Sequence, residues 1–146
     1  MRRFLRHSSN LPVELRLRRH SPSANQRLDN ISLGGAACHS SHALPQGTPV
    51  ILHFPLLDEQ LAYPGQVAWC TKQSEHYLLG VAFSEHAPEL RARMVEEICN
   101  LERYRKHREQ QAGQPLPLEL IAEEWRKQRL GIFPRPSPKY HCLDGR

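Results

Sequence analysis

The chain has 146 residues, with 20 Lys and Arg against 15 Asp and Glu, for a formal net charge of +5. That length can bury a core without disulfides or metal, and the positive balance points to an anionic partner: nucleotide, nucleic acid, phospholipid or an acidic protein face. Four scattered cysteines (Cys38, Cys70, Cys99, Cys142) with no CxxC pair argue against a disulfide frame or zinc site. No apolar run approaches the roughly 20 residues of a membrane helix, and charge followed by polar HSSN is unlike a signal peptide, so the expectation is a soluble, cytoplasmic protein.

In chain order, Arg2, Arg3 and Arg6 come first, on a terminus that frays unless something ties it down. Leu11, Val13, Leu15 and Leu17 then alternate with Pro12, Glu14, Arg16 and Arg18, the pattern of a half-buried strand. A second strand is predicted through QRLDNIS (26–32) and a short third through AACHS (36–40) after the glycine pair. VILHFPL (50–56) is the fourth, preceded by the turn-like PQGTP. PGQVAWCTK (64–72) and YLLGVAFS (77–84) are the last two, separated by polar QSEH. Six short strands with no intervening helix predict an antiparallel barrel or sandwich.

After Ala87 the period changes. Leu90, Met94, Ile98 and Leu101 fall on one helical face, with Pro88 suited to the first position and Glu89 to the positive end of the dipole. Gly113 ends that pattern. The segment RYRKHREQQ has almost no apolar residues and is expected to project into water. A second helix is predicted from Pro117 to Gly131, with Leu118, Ile121 and Trp125 as a narrow apolar stripe. The remainder, IFPRPSPKYHCLDGR, is proline-rich and expected to be extended or disordered.

Two motifs carry the chemistry. Arg2 and Arg6 form RxxxR, and Asn30-Ile31-Ser32-Leu33-Gly34-Gly35 spells (D/N)xSxxG between two strands. An arginine fork can grip a phosphate or the O6/N7 edge of a guanine, or lie flat on a purine. The opposite guanine edge, with donors at N1 and N2, needs an acceptor such as Asp29 or Asn30. The Ser32 hydroxyl can bond a phosphate or a base, and Gly35 leaves room for close backbone approach. Trp69, in an outward position of its strand, is a candidate stacking platform.

In this order, and before six strands, the motifs resemble the PilZ domain, the bacterial receptor module for cyclic di-GMP. The resemblance covers residues 1–86 and includes VAW of the fifth strand and LLGVAF of the sixth. It implies a mainly β fold, a six-stranded antiparallel PilZ-type β-barrel followed by two C-terminal α-helices. It divides the chain into a barrel with its arginine arm (1–86), a helical extension (87–131) and a tail (132–146). It also implies an arm that folds over the nucleotide, with Arg2, Arg3, Arg6, Asp29, Asn30, Ser32, Gly34, Gly35 and Trp69 as the binding set.

No cofactor or metal is implied beyond the ligand. Paired carboxylates, a Walker loop and a Ser-His-Asp order are lacking, so an enzyme is not expected. Single-domain relatives of this kind act as adaptors, so the message is expected to pass to a protein partner, such as a signalling kinase, a motor or a polysaccharide-synthesis component. Leu118, Ile121 and Trp125 are the candidate contact stripe, which could equally cover the barrel. Two rivals stand beside this reading: a PilZ-fold adaptor blind to the nucleotide, and a basic nucleic-acid-binding barrel. The second would interleave aromatic and basic residues on one sheet face, whereas here the basic residues cluster in the terminus and helices. The nine histidines are too dispersed for a metal site and read as surface or turn residues.

Overall fold

The alternation beginning at Leu11 does form a strand, with Leu11, Val13 and Leu15 all buried. The computed structural model describes residues 5–17, 24–58, 60–85 and 87–129. Within these, the strands are β1 (His7–Ser8), β2 (Pro12–Arg16), β3 (Ala24–Ile31), β4 (Gly35–Ser40), β5 (Pro49–His53), β6 (Tyr63–Lys72) and β7 (Tyr77–Phe83). The helices are α1 (Pro88–Ala112) and α2 (Leu118–Arg129). The six predicted strands are present. The first stops at Arg16 rather than Arg18, leaving Leu17 exposed. The fourth stops at His53, because Pro55 has no N–H for the ladder and opens a turn that Leu57 closes onto the Phe54 carbonyl.

All pairings are antiparallel, in the order β3–β2–β5–β6–β7–β4, and a β3–β4 pairing closes the ring. The result is a six-stranded barrel, which leaves no free sheet edge among these six strands. The two-residue β1 lies on β3 beyond β2: His7 faces Ile31 and Ser8 faces Asn30. Between them the chain stays tied to β3 through Ser9 N–H to the Asp29 carbonyl and Leu28 N–H to the Leu11 carbonyl. The barrel is filled by inward residues of every strand, among them Leu28, Leu52, Val67 and Leu79, each at most 1% exposed. Burying such a side chain is worth about 1.5–3 kcal/mol.

The chain divides into two compact units, residues 1–92 and 93–146. In the second, Met94, Ile98 and Leu101 are buried, as their spacing predicts. Gly113 ends α1 with a positive φ of 74°, its N–H bonded to the Glu109 carbonyl. The Glu109 carboxylate then accepts from Leu116 N–H and holds the turn into α2.

The end of α1 does not project into water. Tyr104 is buried, its ring 5.6 Å from that of Trp125, and Arg108 forks onto both oxygens of Glu124 at 2.9 and 3.1 Å. The polar run is not a solvated end, because its arginine and tyrosine are partners for the opposite helix. The contact stripe needs the same correction. Leu118 and Ile121 are buried and Trp125 rests on Tyr104, so these side chains are already covered and are not displayed for a partner. Ile132 onward lies outside the described residues.

Candidate nucleotide site on the barrel wall

Two irregularities in the sheet build this site. Leu28 pairs with Cys38 and Asn30 with Ala37, leaving Asp29 as an extra residue. Val67 pairs with Val81 and Trp69 with Gly80, leaving Ala68 as an extra residue. Strict alternation would point Asn30 the same way as Leu28, and Trp69 the same way as Val67, into the core, so the outward position expected for Trp69 does not come from alternation. Each bulge turns its following residue outward instead.

Because opposite residues share a face, one outward row runs Ser8–Asn30–Ala37–Gly80–Trp69 across five strands. Between Asn30 and Trp69 the row carries only Ala37 and Gly80, both buried, and three strand spacings set the two ends roughly 14 Å apart along the sheet. The indole covers Gly80: a Cβ there would lie 2.1 Å from the Trp69 ring and would displace it. Trp69 remains 38% exposed, and it also borders a groove of about 620 Å³ against Ala43–Gln46.

At the other end of the row the polar groups are linked. Arg6 donates to Asn30 Oδ1, and Asn30 Nδ2 donates to Asp29 Oδ2 at 2.7 Å. The charges fix this amide orientation, since the reverse would set NH₂ against the guanidinium and oxygen against the carboxylate. Asp29 Oδ1 lies 3.1 Å from His39 Nε2, and His39 Nδ1 lies 2.9 Å from His76 Nε2. Asp29 is still 41% exposed along its side chain, so its oxygens retain room to accept from a ligand.

The (D/N)xSxxG loop is shaped from within. Ser32 is 3% exposed; its hydroxyl accepts from Gly34 N–H at 3.2 Å and lies 3.4 Å from the Gly35 carbonyl, while its N–H donates to that carbonyl at 2.8 Å. In this state the hydroxyl belongs to the loop. Gly35 is required by the barrel, because a Cβ there would sit 2.2 Å from the Val81 carbonyl oxygen. Arg91, in the first turns of α1, donates to the Leu33 carbonyl at 2.8 Å and braces the loop from outside.

The structure therefore brings Arg6, Asp29 and Asn30 into direct contact, sets the Ser32–Gly35 loop beside them, and puts Trp69 on the same outer face. Arg2 and Arg3 lie outside the described residues. Sequence reasoning missed His39, His76 and Arg91. His39 follows Ala37 at i+2 and so shares its outward face, a signal visible only once the register is known. Cys38 is inert: burial pushes its thiol up to about 12, and the nearby Asp29 charge acts in the same direction. Among the described residues no group of His, Cys, Asp or Glu is arranged to hold a metal ion, and no helix is long and apolar enough to cross a membrane.

The family model described as PilZ domain matches residues 1–99. Among solved structures, YcgR from Escherichia coli in complex with c-di-GMP is 18% identical with a TM-score of 0.59, over 76% of this chain and 50% of that one. The motility inhibitor MotI/DgrA of Bacillus subtilis is also 18% identical, with a TM-score of 0.55, over 69% of this chain and 50% of that one. The isolated PilZ domain of YcgR with c-di-GMP is 16% identical at a TM-score of 0.53, over 77% of this chain and 97% of the domain. This chain thus spans about half the length of the full-length proteins it resembles. No curated protein sequence matches it.

Proposed function

The chain belongs to the PilZ family, and from that premise we propose that it is a receptor for cyclic di-GMP that passes the signal to a protein partner. The observation that carries this reading is the Arg6–Asn30–Asp29 cluster on the same outward row as Trp69, with only the small residues Ala37 and Gly80 between them. The ligand has two phosphates and two guanines. Arg6, with Arg2 and Arg3 ahead of it, supplies forks for phosphate or for the guanine O6/N7 edge. Asp29 accepts from guanine N1 and N2. Asn30 is held by Asp29 to present its oxygen to Arg6. Ser32, Gly34 and Gly35 form a loop narrow enough for the nucleotide to approach its backbone, and Trp69 stacks on a base.

Fixing arm residues on the ligand costs roughly 1–2 kcal/mol per residue. Several charge-assisted contacts of about 1–3 kcal/mol offset this, so micromolar affinity, about −8 kcal/mol, is expected. In this reading the barrel (1–86) binds and the helical extension (87–131) relays, in motility, biofilm or exopolysaccharide control. YcgR and the Klebsiella protein MrkH have been solved with c-di-GMP bound, and MotI/DgrA is an inhibitor of motility. These relatives support the choice of ligand and of process.

The test is calorimetric titration with cyclic di-GMP beside an Arg2→Ala/Arg6→Ala variant. Micromolar binding that the variant loses by a hundredfold or more supports the receptor. No heat from the wild-type protein overturns it and leaves an adaptor blind to the nucleotide.

A further inference from the structure

The polar chain at the site does not stop at Asp29. Asp29 Oδ1 meets His39 Nε2 at 3.1 Å, and the other nitrogen of that ring meets His76 Nε2 at 2.9 Å, the two rings 5.0 Å apart between centroids. An ionised carboxylate can only accept, so His39 Nε2 carries hydrogen and, in the neutral ring, Nδ1 accepts from His76. Every hydrogen in the chain then points toward Asp29. His76 comes from the turn between β6 and β7, far in sequence from the motif, and His39 lies one outward row beyond Ala37.

We propose that His39, backed by His76, is a positioning residue for nucleotide binding: it fixes the Asp29 carboxylate, which in turn fixes Asn30. This deepens the receptor reading and rests on it.

The charged and titratable groups around the ring are Asp29 and Arg27 from β3 and His76 from the turn; across β7 its register partner is Leu78.

The experiment is titration of cyclic di-GMP into wild-type protein, His39→Leu and His39→Gln, with the melting temperature of each. His39→Leu should bind roughly fivefold more weakly. His39→Gln keeps an N–H for Asp29, so at an equal melting temperature it should recover most of the wild-type affinity. If His39→Leu does not fold, His76→Leu on the turn should weaken binding in the same direction. A folded His39→Leu that binds like wild type, or a His39→Gln that binds no better than His39→Leu, overturns the inference while leaving the receptor reading standing. Wild-type protein that binds no cyclic di-GMP overturns both.

Discussion

Two carboxylates show how differently this chain uses the same group. Glu124, on α2, takes an arginine fork on both oxygens and a tyrosine hydroxyl at 3.0 Å, with Gln128 donating in turn to that hydroxyl at 3.1 Å. Asp29, on the barrel wall, has one neutral amide and one imidazole, and its side chain is 41% exposed against 27% for Glu124. The first carboxylate is largely taken up by protein donors, a charged fork among them. The second is oriented but has accepting capacity left. A charged fork on both oxygens makes a joint between helices, whereas the more exposed Asp29 keeps room to accept, which is what the proposed nucleotide site requires.

The largest expected effect breaks the open side of this comparison. Gly80→Val forces a Cβ into the indole of Trp69 and should lower barrel stability by about 3 kcal/mol, read as a drop in denaturation midpoint. Nucleotide binding should fall with it, since the row and the platform share this contact. An unchanged midpoint would show that the indole does not need the glycine.

Next in size is Trp69→Ala, which should weaken cyclic di-GMP by roughly tenfold or more while sparing the fold, because the side chain is partly exposed and faces away from the core. Equal affinity in the variant would confine the site to the arginine end.

The smallest effect probes the joint between helices. Glu124→Gln should cost about 1 kcal/mol of helix-pair stability and leave nucleotide binding untouched. The same contact predicts a sign with pH. Chiefly the Arg108 fork, with Tyr104 adding to it and burial opposing, holds the Glu124 carboxyl below its ordinary range. Its stabilisation is therefore present above the unfolded carboxylate value and is lost as pH falls through the lower folded one. Helical circular dichroism followed from pH 5 to pH 2 should show an acid loss that Glu124→Gln lacks. A loss identical in both proteins would place the acid sensitivity elsewhere.

Sequence by itself determined the elements and the motif loop. Period two from Leu11 and period 3.6 from Leu90 are local records of which side of each element is buried, and they survive into the structure nearly residue for residue. Arg6, Asn30 and Ser32 were legible because their residue types suit one chemistry at one spacing.

Tertiary structure decided the rest. The bulges at Asp29 and Ala68 insert single residues that no composition marks, yet they alone turn Asn30 and Trp69 outward. Closure of β3 on β4 sets Asn30 three strands from Trp69, and packing of α2 on the end of α1 converts a polar run into a buried joint. The pairing of Asp29, His39 and His76 joins residues from three elements. Alternation is written along the chain, but which residues meet across it depends on register, and register is set by the closed barrel as a whole.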